Sequence, residues 1–133
     1  MKTLLSLFLI TLFTSFTYSQ VYISCSSFEM CKYDTYSDDL VDCSPVEMEV
    51  VVFMEFENST ISLFIGDETK VLHITEMEDD GQGSWLFQAY DNDDPSIVFV
   101  VIFNEEEYLL VMIPEDYENE ISYKFNISSI DTE

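Results

Sequence analysis

An all-β fold, an antiparallel meander of about eight strands, follows from three features of this 133-residue sequence. Apolar residues recur at every second position through most of it, and no stretch carries an apolar stripe of helical period. The segments are separated by short clusters of Asn, Asp, Ser and Gly at close, regular intervals. Two segments near the end are apolar on both faces, as strands covered on both sides would be. The expected architecture is a small up-and-down barrel or a strongly curved sheet or sandwich.

Residues 21–31 form the first expected strand, and a polar loop over 34–42 follows. The clearest alternation covers 46–57, where Val46, Met48, Val50, Val52, Met54 and Phe56 share one face. Glu47, Glu49, Glu55 and Glu57 take the other, with Val51 and Phe53 among them. Asn58-Ser59 turns the chain into 60–65, with Ile61, Leu63 and Ile65 in phase, and Gly66-Asp67-Glu68 turns it into 69–77. An acidic, glycine-containing turn over 78–83 leads to 84–90, which carries Trp85, Phe87 and Tyr90. The turn 91–95 ends in Pro95, which cannot donate to a ladder. Residues 97–103 and 108–113 are the two-sided apolar strands, and 120–127 returns to alternation through Ile121, Tyr123, Phe125 and Ile127. The glycines all lie in turns, whereas sharply coiled barrels bend at strand glycines or at bulges, so the sequence leaves closure of the barrel open.

Residues 1–19 read as an export signal: Met1-Lys2, an apolar run from Leu4 to Phe16, and small residues at Thr17 and Ser19. The run is shorter than the roughly 20 residues that span a bilayer, and no second one follows, so no membrane span is expected. Cleavage after Ser19 leaves residues 20–133 as a single all-β domain, periplasmic or secreted. Cys25 is a poor lipoprotein cysteine, because the apolar run ends well before it.

After cleavage Lys32, Lys70 and Lys124 face 27 acidic residues, a net charge of −24, and the sequence contains no arginine. Nucleic-acid binding requires basic side chains on phosphates and is excluded on sign. Anionic membrane surfaces are excluded likewise. Basic partners and divalent cations remain open, although an acidic surface that keeps an exported protein soluble accounts for the charge by itself.

In an oxidising compartment the cysteines are expected to pair. Cys25 and Cys31 on one strand would lie about 20 Å apart, too far for a bridge. Cys31 and Cys43 bracket the polar loop as hairpin arms do, so the expected disulfide is Cys31–Cys43. Three cysteines and His73 could in number make a zinc site, but they lack the close pair such sites use.

No catalytic constellation stands out. His73 is the lone histidine, set in the strand Val71-Leu72-His73-Ile74, and no carboxylate pair is distinguished from the rest. The protein is therefore not expected to be an enzyme or to need a cofactor. Weak calcium candidates are the turns of Asp79 and Asp80 and of Asp91, Asp93 and Asp94, neither matching a twelve-residue calcium loop. Asn58-Ser59-Thr60 and Asn126-Ile127-Ser128 are formal glycosylation sequons, relevant only in a eukaryotic secretory pathway.

The outer faces of 97–103 and 108–113 require cover from the segment around Phe28 and Met30, from a second copy, or from an unknown protein partner. Val51, Phe53 and Phe64 would join that surface. The leading expectation is thus a non-catalytic binding or interaction module. The alternative is a lipocalin-like carrier holding an apolar molecule among Trp85, Phe87 and the methionines, and Phe99 is a further candidate for an apolar ligand or an interface.

The order of these features resembles that of small exported β-rich proteins of flavobacteria (Bacteroidetes). The shared features are the signal ending in Ser19-Gln20, the acidic hairpin into 46–57, the turn Glu57-Asn58-Ser59-Thr60 and the acidic glycine turn Asp79-Asp80-Gly81. Late strands like 109–113 and 121–125 complete the likeness. The resemblance implies a β-rich exported domain and carries no activity with it.

Overall fold

The computed structural model describes residues 20–81, 83–116, 118 and 120–132; the expected export signal, residues 1–19, lies outside the described residues. Among them are nine antiparallel strands: β1 Gln20–Asp34, β2 Asp39–Val46, β3 Val50–Glu55, β4 Thr60–Ile65, β5 Glu68–Asp79, β6 Ser84–Asp91, β7 Val98–Asn104, β8 Leu109–Pro114 and β9 Ser122–Thr132. Eight of them close a barrel in the order β1-β3-β4-β5-β6-β7-β8-β9, with β9 returning to β1. β2 is the extra strand outside it. No helix among the described residues is long and apolar enough to cross a membrane.

β1 makes this topology possible. Its 15 residues present one edge to β9 along most of their length. The other edge is divided: Gln20 to Cys25 pair with β3, and Phe28 to Asp34 pair with β2. The stretch expected as one strand over 46–57 is accordingly two, because Val46 ends β2 and Val50 begins β3. Between them the chain folds back tightly, Met48 N donating to Val46 O at 3.0 Å, and Met48 faces solvent rather than the core. The expected polar loop over 34–42 is likewise shorter. Residues 35–38 turn, with the Asp34 carboxylate accepting from Tyr36 N and Ser37 Oγ, and Asp39 already belongs to β2. Pro45 is tolerated in β2 because that strand pairs along one edge only.

Bulges provide the coiling. Where β1 meets β9, Ser26 is an extra residue in β1 and Ser128 an extra residue in β9, back to back. The inward phase of β1 therefore jumps from Cys25 to Phe28. Ser128 Oγ donates to Ser24 O at 2.9 Å and Asn126 Nδ2 to Ser27 Oγ at 2.8 Å, which ties the distorted ladder together. In β5 the extra residue is Thr75, whose hydroxyl donates to Gln88 O at 3.1 Å. A bulge adds twist and bends its strand, so these positions do the work that strand glycines do in other barrels.

The inward faces form one contiguous core that includes Val21, Ile23, Val52, Met54, Ile61, Leu72, Phe87, Ala89, Val101, Phe103, Leu110 and Met112. Phe28 belongs to this interior and Met30 packs against it, so the N-terminal segment does not cover the outside of β7 and β8 as one of the expectations had it. The outer residues of those strands shade one another instead. Val98, Val100, Ile102 and Ile113 are half-buried and Val111 is buried.

Cys31 and Cys43 form the expected disulfide, joining β1 to β2 across a register shift with Cα atoms 4.1 Å apart. Cys25 points into the barrel as a free, buried thiol, and burial pushes it up to about 11.

Candidate functional site

The two ends of the barrel differ. At the end formed by the start of β6 and the end of β3, Phe56 and Phe87 stack at 6.1 Å, and Trp85 and Ile74 pack onto the core. At the other end the interior opens into a cavity of about 430 Å³. Its walls are Phe28, Leu63, Ile65, Phe99, Met112, Tyr123 and Phe125, all from inward positions, and Glu68, Thr69, Lys70 and Asp93 stand around them. Phe28 lies 6.2 Å from Tyr123 and 6.1 Å from Phe125, ring centre to ring centre, so β1 and β9 supply an aromatic wall. This is the size and mixture of a small-molecule site: mostly apolar, with a few polar groups.

The polar groups at this mouth have a definite origin. In β5, Lys70 has the same parity as Leu72, and in β6, Asp91 has the same parity as Phe87 and Ala89, so both point inward where the strands end. Lys70 Nζ reaches Asp91 Oδ2 at 2.9 Å. The other oxygen, Oδ1, accepts Asp93 N–H at 2.9 Å. Asp91 is 3% exposed and Lys70 is 44% exposed at the side chain, so the carboxylate is inside and the ammonium sits at the boundary with water. The hydrogen bond to Asp91 raises the Lys70 pKa above its ordinary value, with burial opposing it.

The residues singled out from sequence are thereby dispersed. Phe99 lines the mouth, Phe87 is fully buried in the core, and half-buried Trp85 borders a small hollow at the other end. The cavity is therefore not among Trp85 and Phe87. Val51 and Phe53 lie on the outside, where Phe53 stacks on Tyr22 at 4.5 Å and Val51 pairs with exposed Phe64. A wider groove of about 560 Å³ runs over the outer surface of β5, β6 and β7, past Glu76, Met77, Leu86 and Gln88.

The acidic turns are hydrogen-bonded as turns. Asp79 accepts from Gly81 N, Asp80 from Ser84 N, and Asp94 from Ser96 N and Oγ. Among the described residues no group of three or more His, Cys, Asp or Glu is placed to hold a metal ion. His73 lies on the outer face, bonded to Asn92 Oδ1 at 2.8 Å and stacked on Tyr90 at 5.1 Å.

Sequence reasoning passed over Phe28, Lys70, Tyr123 and Phe125 as site residues. A usable signal was present: a lysine and an aspartate on the core parity of two strands, each next to a turn. In comparisons with protein-family models, curated proteins and solved structures, nothing matches this chain.

Proposed function

We propose that the protein is an exported, non-catalytic binding module that holds a small, largely apolar molecule in the open end of its barrel. The observation that carries this reading is the aromatic-lined cavity of about 430 Å³ at one end of a barrel whose buried residues form one core cluster. The packed core limits how deep a ligand can sit, so the occupant is small and enters from the rim. A molecule of about 15 non-hydrogen atoms, at roughly 0.4 kcal/mol per atom, reaches about −6 kcal/mol, a Kd on the order of tens of micromolar. The disulfide fits an oxidising, extracytoplasmic compartment.

The test is a fluorescence titration with N-phenyl-1-naphthylamine, a neutral apolar dye that brightens when shielded from water. Saturable one-to-one binding is expected. It should be lost in Ile65→Trp, which fills the mouth, and kept in Phe53→Ser on the outer face. Binding lost in Phe53→Ser and kept in Ile65→Trp would replace this reading with a second one, an interaction surface centred on the Tyr22–Phe53 stack. Export is checked by intact mass of secreted material, which should begin at Gln20.

A further inference from the structure

We infer that the preferred occupant of the mouth is a cation: an organic ammonium with an apolar body. This inference rests on the mouth being the binding site. Among the described residues the one lysine at the cavity is committed, since Lys70 is held at 2.9 Å by a carboxylate that is 3% exposed. An anionic ligand head would have to share Lys70 with Asp91, which already neutralises it at 2.9 Å, so little of the lysine's charge is left to attract an anion. With Lys70 set against Asp91, Glu68 and Asp93 give the cavity rim a net negative charge, although Asp93 also feels Lys70. Both are exposed, and both are negative.

The opposite wall favours the same sign. By pairing order β1 and β9 stand across the barrel from β5 and β6, and they contribute Phe28, Tyr123 and Phe125. Ring faces attract an ammonium group within about 6 Å, and more strongly when it is partly desolvated. At longer range, a sequence with 27 acidic residues and 4 lysines in all concentrates cations near its surface and repels anions. Apolar wall, π faces, two rim carboxylates and a committed lysine thus describe one class of ligand.

Octyltrimethylammonium, octanol and octanoate share a chain length and differ in head charge, and each can be scored by displacement of N-phenyl-1-naphthylamine. The cation should displace the dye at about one-tenth the concentration octanol needs, a factor of roughly three for each exposed carboxylate, and octanoate should be weaker than octanol. In Glu68→Gln/Asp93→Asn the ratio of cation to alcohol should fall towards one. In Glu105→Gln/Glu106→Gln, which removes the same charge at the other end of the barrel, the ratio should stay near ten. A ratio near one in the unmodified protein, octanoate matching the cation, or equal loss in both variants would overturn the inference while leaving the mouth as a binding site. Absence of dye binding would remove the site and the inference together.

Discussion

Replacing Lys70 by Met tests the Lys70–Asp91 ion pair at the mouth. Asp91 loses its partner at 2.9 Å while keeping the Asp93 N–H, and the Met stem still covers the wall. Breaking a fully buried pair costs about 3–5 kcal/mol and an exposed pair about 0–1 kcal/mol. This pair has one buried member and one that is 44% exposed, so solvent screening removes most of the larger figure and about 1–2 kcal/mol remains. For a domain of this length that is a fall in Tm of roughly 4–8 °C. A double-mutant cycle with Asp91→Asn, read by urea denaturation, isolates the pair, with an expected coupling of about 1 kcal/mol. The sign of the pH dependence follows from the raised Lys70 pKa. A lysine bound more tightly to its proton in the folded state adds stability below its unfolded value of about 10.4, and that stability is lost as pH rises through the folded value. The difference between wild type and Lys70→Met should therefore be flat from pH 7 to 9 and shrink at higher pH. Zero coupling at pH 7, or a difference that grows towards alkaline pH, would refute the reasoning.

Four further outcomes can be checked. Native protein should show no thiol reactive to Ellman's reagent at pH 8, because Cys25 is buried and its pKa is near 11, and one thiol per chain on unfolding without reductant; three thiols would remove the disulfide. Cys31→Ala/Cys43→Ala, which opens a bridge between residues 12 apart, should cost about 3 kcal/mol in urea unfolding. The hydroxyl of Ser122 is buried with no hydrogen-bond partner among the described residues, so Ser122→Ala should leave stability unchanged or raise it by up to about 1 kcal/mol, and a clear loss would reveal a missed partner. Melting curves at matched ionic strength in sodium and in calcium should coincide and rise with salt, as screening of a net charge of −23 predicts, whereas a saturable calcium shift would make ligands of Asp79, Asp80, Asp91, Asp93 or Asp94.

The strands that close on the core were legible because burial writes period two into them. Ile61 and Leu63 in β4, or Val50, Val52 and Met54 in β3, leave no other reading. β2 was hidden for the opposite reason. Asp39 to Val46 has no buried position, and it is held by one edge of β1 and by Cys43, so no apolar pattern is selected there. The bulges were equally silent. Ser26, Thr75 and Ser128 are ordinary polar residues, and they become bulges only when the register of the neighbouring strand is known. That hidden phase jump is what turns Phe28 inward and makes it part of the mouth.

Little of the candidate site was legible. Phe99 could be named from its strand, yet Trp85 and Phe87 attracted equal weight, because aromatic content does not say which end of a barrel is packed. The distinction depends on where the strands stop relative to one another, and Lys70 and Asp91 mark the open end by keeping charge on the core parity.

The most direct test of the account is an NMR measurement of intermolecular NOEs between N-phenyl-1-naphthylamine and methyl-labelled protein. Contacts are expected to the methyls of Leu63, Ile65 and Met112, which line the mouth. Contacts confined to Val51, Val100 or Ile113, on the outer faces of β3, β7 and β8, would contradict it.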